Sequence, residues 1–308
     1  MSQGGYLVPE EFRATLLQTS LENSIVRSRA TEIPMSSNRV VLPALVDADH
    51  SSNYFGGISV YRTNERAQQT VSNPTFARIA LTLHNLTGLA YVTDELMEDS
   101  PISIEPILNF TFGQAISFVE DDDYLNGTGA SMAIGAFHAN NPSIVSVSGE
   151  TGQVASTIVA ENIFKMWARL YPGCHAKSVW IANIVAFPQL ATMSIAVGTG
   201  GIPVYIPANG LSQAPFGTLM GRPLILSEKM QVLGSAGVIG LADFSHYLIG
   251  SKVGGGLKTA SSIHLRFDYN ETAFRFNMRY DGQPWWTSAL TPKRGDTLSP
   301  FVRLAAVT

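Results

Sequence analysis

The chain has 308 residues, enough for one large or two ordinary domains, and only 14% of them are charged, against roughly 25% in typical soluble domains. A net charge of -4 without any Lys/Arg cluster excludes a sequence-specific nucleic-acid reader, which needs a basic footprint. The single cysteine, Cys174, excludes an intramolecular disulfide framework.

The hydrophobic fraction is an ordinary 45%, so Ser, Thr, Asn, Gln and Gly have replaced the missing charge. Such a surface costs less to desolvate than a charged one and suits subunit contact. The opening "MSQGGYLVPEEF" has neither a basic start nor an apolar core, and no run reaches membrane-spanning length. A soluble protein assembled in a cytoplasm, without a membrane partner, is the expectation.

In chain order, Pro9, Glu10 and Glu11 open a helix with Ala14, Leu17, Leu21 and Ile25 on one face, fading at "RSRATEIP". "NRVVLPAL" reads as a short strand. Residues 47–74 are polar, glycine-bearing and without helical period, and they read as a projecting β-hairpin. Its return arm, "FARIALTLHNLTGLAYVTDEL", alternates Ile79, Leu81 and Leu83 against Arg78, Thr82 and His84.

A long amphipathic helix follows, with Ile104, Leu108, Phe112, Ala115 and Val119 at helical spacing. Ser103 suits its N-cap, Glu105 its positive end, and Pro106 is tolerable only in the first turn. The helix runs into "EDDDYLNGTGAS", residues 120–131. As a calcium loop registered on Gly127 this stretch fails, because Tyr124 and Ala133 occupy ligand positions. It also lacks the lysine of a phosphate loop. Asn126 and Gly127 are expected to end the helix in the left-handed conformation, with Gly129 loosening the chain beyond. Four carboxylates in a last helical turn oppose the dipole and repel one another. A solvated acidic helix end is the expectation for Glu120, Asp121, Asp122 and Asp123, with charge pairing to another subunit as the alternative.

Beyond this, "STIVAENIFKMWARLYPG" reads as a second amphipathic helix carrying Ile158, Ile163, Met166 and Trp167, "KSVWIAN" as a buried strand, and "IVAFPQLATMSIA" as a short helical piece. "GRPLILSEKM" is a strand entering a loop, and "GVIGLADFSHYLIGSK" gives two short strands. "IHLRFDYNETAFRFNMRYDGQPWW" alternates like a long hairpin about Asn270. The fold class is α+β, with two long helices against sheet.

Catalytic patterns are missing. His50, His84, His138, His175, His246 and His264 are scattered, and none stands in an H-E-x-x-H frame. "GISVY" at Gly57 lacks the second glycine of a nucleophile elbow, and in "GGGLKT" a leucine separates Gly256 from Lys258. Cys174 beside His175 reads as a buried or incidental thiol, since adjacent residues rarely aim at one another. No catalytic, cofactor-binding or metal residue is assigned, and no cofactor is expected.

The order of "GGYLVPEEF", "LTGLAYVTDELMEDS", "EDDDYLNGTG", "LMGRPLILSEKM" and "ADFSHYLIG" before an alternating hairpin resembles the major capsid proteins of tailed bacteriophages, the Hong Kong 97-type family. The resemblance implies an N-terminal arm over 1–46 and an extended β-hairpin loop over 47–86. It further implies a peripheral domain with a long spine helix over 87–176, an axial domain over 177–256, and a return hairpin and C-terminal segment over 257–308, mainly in the peripheral domain. Implied partners are copies of the chain, as pentamers and hexamers of an icosahedral shell around double-stranded DNA held without sequence-specific contacts. A portal, decoration proteins and a separate scaffolding protein are further implied partners. The loop would lie across a neighbouring subunit. Some family members weld subunits through a lysine in that loop, but the first lysine here is Lys165, so a non-covalent shell is expected. Many members also carry a scaffolding segment ahead of a "GGYLVP"-like start; here the scaffold is expected to be separate or never present. The alternatives are an encapsulin-type bacterial compartment and, from another class, a monomeric hydrolase with a spatially assembled site. A surface-layer protein would be expected to carry a secretion signal.

Overall fold

The computed structural model describes residues 21–307 apart from 23, 67, 101–102, 198–199, 204–216 and 255. Residues 9–20 of the expected N-terminal helix lie outside the described residues. The elements, in chain order, are β1 (Thr31–Met35), β2 (Arg39–Leu45), β3 (Phe76–Thr82), β4 (His84–Thr93), α1 (Asp94–Asp99), α2 (Ile104–Asn126) and β5 (Val145–Val147). Then come α3 (Ala160–Arg169), β6 (Val179–Asn183), α4 (Phe187–Thr192), β7 (Ser194–Val197), β8 (Gly200–Pro203), β9 (Thr218–Leu219) and β10 (Arg222–Ser227). The last are β11 (Ile239–Ala242), β12 (Tyr247–Lys252), β13 (Lys258–Arg266), β14 (Glu271–Pro284) and β15 (Phe301–Leu304). This mixture of helix and sheet is the α+β class expected.

The chain forms two compact units. One, over Leu86–Phe118 and Leu257–Met278, contains the first part of α2 and the β13–β14 hairpin. The hairpin turns where expected, on Asn270, which holds φ 52 because asparagine tolerates the left-handed region. Its core joins Val92, Ile116, Phe274 and Phe276 to Leu108 and Phe112, and the rings of Phe112 and Phe276 stack at 4.0 Å. The helix begins at Ile104, directly after Ser103, with Pro106 in the first turn as anticipated. Its buried stripe differs from the expected one. Steps of four residues lead from Ile104 through Leu108 and Phe112 to Ile116, whereas Ala115 and Val119 are exposed.

The other unit, over Ser24–Asn85, Val119–Gly256 and Arg279–Thr308, is built on a six-stranded sheet in the order β5-β15-β11-β6-β10-β9. Strand β6 runs through its middle with every residue buried, which is why "VWIAN" has no polar alternation. Trp180, Ile163, Met166, Leu241 and Val302 fill the core between this sheet and α3. Ile158 is buried too, but it precedes α3 instead of lying within it.

Two segments differ from the expected course. The expected N-terminal helix does not reach Leu21 and Ile25, which are not helical; at "RSRATEIP", where it is expected to fade, a turn closed by Arg29 and Ala30 N–H on the Val26 carbonyl leads into β1, which pairs in parallel with β12. The extended loop is a hairpin only at its base, where β2 and β3 pair antiparallel from Arg39↔Thr82 to Leu45↔Phe76. Between them, residues 46–75 contain isolated bridges only among the described residues, and the expected long return arm is broken into β3 and β4.

Candidate assembly surfaces

The acidic end of α2 is not solvated. Glu120 is 5% exposed and Asp121 1%, because both carboxylates are used by the same chain. Asp121 Oδ1 accepts the backbone N–H groups of Ile25 and Val26 at 3.0 and 2.9 Å and the Ser24 hydroxyl at 3.0 Å. Its Oδ2 lies 3.0 Å from Lys229 Nζ, with both side chains fully buried. Consecutive N–H groups converging on one carboxylate form a small anion-binding concavity, and the lysine supplies the balancing charge.

Glu120 repeats the arrangement one residue earlier. Its Oε1 receives Arg27 Nη2 and the Tyr124 hydroxyl, each at 2.6 Å. Burial and the adjacent Glu120 carboxylate hold the Tyr124 phenol well above its ordinary value, so it remains a donor. Asp122 accepts Asn126 Nδ2 at 2.8 Å, and Asp123 accepts the Tyr280 hydroxyl. Desolvation raises the Asp123 carboxyl, the Tyr280 bond only partly opposing it. The stretch is therefore an internal anchor for the segment from Ser24 to Arg27. Sequence reading missed it because the partners Arg27, Lys229 and Tyr280 are remote along the chain.

The turn after the helix also differs from expectation. Neither Asn126 nor Gly127 is left-handed; of the two glycines, Gly129 is, at φ 81. Gly127 is required for close approach, since a Cβ there would stand 2.3 Å from the Ala133 carbonyl oxygen.

The extended loop is clamped at its root and apolar above it. Val46 and Thr75 join by a backbone bond, and Asp47 holds His50 Nε2 at 2.9 Å and the Gly56 N–H at 3.1 Å. Beyond that clamp Phe55, Val60 and Val71 are 60%, 69% and 83% exposed.

The scattered histidines do not gather. Among the described residues, only His246 belongs to a group of three side chains able to hold a metal, with Cys174 and Asp243, whose ligand atoms and its own lie within 4.8 Å of one another. The chemistry does not fit an ion. Cys174 donates to Asp243, and burial first and that carboxylate second push its thiol far up, away from the thiolate a metal needs. Trp286 Nε1–H donates to His246 Nδ1 at 3.2 Å, so the neutral ring keeps its proton on Nε2, the nitrogen left to bind. Gly57 and Gly254, singled out in the failed motifs, occupy turns at φ 85 and 65.

The phage capsid family matches residues 4–293. The chain belongs to the phage capsid family. It is thus a shell-forming structural protein of the virion capsid, not an enzyme, and the hydrolase reading is set aside. No curated protein matches it in sequence. In structure it is similar to the capsid of a native GTA particle computed with C5 symmetry, at TM-score 0.76 and 18% identity, covering 99% of this chain and 97% of that one. It is also similar to a chain of Mycobacterium phage Bobi, at TM-score 0.65 and 18% identity, covering 98% of this chain and 96% of that one. A chain of Microbacterium phage Oxtober96 gives TM-score 0.65 at 14% identity, with 97% and 96% covered. The capsid fold inferred from motif order therefore holds across the chain.

Proposed function

We propose that copies of this chain assemble as pentamers and hexamers of an icosahedral shell that encloses double-stranded DNA, without covalent cross-links from the extended loop. The observation that carries this reading is the loop itself: a clamped excursion of residues 46–75 with Phe55, Val60 and Val71 exposed and no lysine to supply an isopeptide amine. Arg62, Arg66 and Arg78 do not substitute, because a guanidinium is not readily deprotonated. The loop lies across a neighbouring subunit, which covers its apolar side chains. Low overall charge supports burial of broad polar contacts and DNA packing without sequence readout.

Within this reading the peripheral domain spans 87–176 with a return segment over 257–308, and the axial domain spans 177–256. Assembly takes place in the host cytoplasm, with a portal and decoration proteins as partners and a scaffold that is either separate or never present. Electron microscopy of the chain expressed alone and with the candidate scaffold from the same genome tests the proposal. Closed icosahedral particles or isolated rings are expected. A homogeneous monomer under both conditions would overturn it.

A further inference from the structure

A cavity of about 420 Å³ opens beside the root of the extended loop. Its walls include Asp47, Phe55, Tyr171, His246, Trp285 and Trp286, all in one compact unit. They come from four stretches: Asp47 and Phe55 belong to the loop root, Tyr171 follows α3, His246 precedes β12, and the two tryptophans follow β14. The rings brace one another: Tyr171 and Trp286 meet edge to face at 5.4 Å, and Trp285 and Trp286 at 6.0 Å.

We propose that this cavity is a binding site for a free organic ammonium cation. Four aromatic rings line it, and an aromatic face attracts cations and does not attract anions. Asp47 is the one acid or base among the lining residues apart from His246, so a bound anion would meet repulsion without a compensating charge. The Asp47 carboxylate is already positioned, with Oδ2 at 2.9 Å from His50 Nε2 and Oδ1 accepting the Gly56 N–H, so binding needs no further ordering of it. Burial lowers the His246 imidazole below its ordinary value, and the ring adds no competing positive charge near neutral pH. A volume in the lower range of small-ligand cavities suits a single alkylammonium head with a short apolar body. The rings and the Asp47 carboxylate together line one cavity.

The test compares choline with its uncharged isostere 3,3-dimethyl-1-butanol by calorimetric titration into the full chain at matched ionic strength, with tryptophan fluorescence as a second readout. Saturable choline binding is expected, with the alcohol about tenfold weaker. Asp47→Asn is expected to weaken choline by a similar factor while leaving the alcohol unchanged. Equal binding of the two ligands would overturn the proposal, and so would the absence of any saturable signal with choline. If the variant fails to fold, the ligand pair on the unaltered chain decides alone.

Discussion

Asp121 and Lys229 form a fully buried ion pair, Oδ2 to Nζ at 3.0 Å, whose carboxylate also holds the backbone of Ile25 and Val26. Removing one partner leaves an uncompensated buried charge, a loss of about 3 to 5 kcal/mol. Asp121→Ala and Lys229→Met should each lower stability by that order in urea titration. In Asp121→Ala, limited proteolysis should also appear near Arg27. A loss below about 1 kcal/mol in both would mean that the pair is relaxed in solution.

Two glycine-to-alanine changes should act in opposite directions. At Gly127 a Cβ would lie 2.3 Å from a backbone oxygen that has no rotamer to change, and a cost of about 1 to 3 kcal/mol is expected. At Gly113, within α2, no atom lies within 4 Å of the added carbon, and alanine should stabilise by about 0.5 to 1 kcal/mol. Denaturation midpoints of the two variants check both signs.

The carboxyls of Asp123 and Asp281 are raised above 3.8, desolvation being the leading cause for each. A carboxyl raised by folding binds its proton more tightly in the native state. The stability it contributes is present below the ordinary value and falls as pH rises through the folded one. Replacing both with asparagine should flatten this part of the profile above about pH 4. An unchanged slope would show that neither group titrates abnormally.

Loop contacts and subunit stability should separate. Val60 and Val71 are 69% and 83% exposed, so Val60→Ser with Val71→Ser should move the unfolding free energy by less than about 0.5 kcal/mol. The same pair should reduce particle yield in light scattering, since the proposed assembly lays a neighbour over these side chains. Full yield would remove the loop from the interface.

Boiled particles should run as a single monomer band on a denaturing gel, because the first lysine of the chain is Lys165, outside the loop. A ladder of linked subunits would show a covalent bond of another origin.

Elements with a strong period were legible before the structure: β6 as an unbroken apolar run, β13 and β14 by alternation about Asn270, and most of α2 by its stripe. Motif order carried the family. Tertiary partners were not legible. "EDDD" looks like a solvated terminus until Arg27 and Lys229 are placed beside it, at separations of 93 and 108 residues. Periodicity reports which face is apolar, and it is silent about a carboxylate buried by a cation from elsewhere. The cavity at Asp47 was hidden for the same reason, since its lining comes from four separate stretches.

The anchor at Asp121 also imposes an order of events on synthesis. Ser24 to Arg27 leave the ribosome early, yet their receptor is complete only when Lys229 has been made. At roughly 5 to 20 residues per second this leaves an interval of about ten seconds or more in which the N-terminal segment has no native seat. Docking of that segment is therefore a late, long-range step in the folding of the subunit.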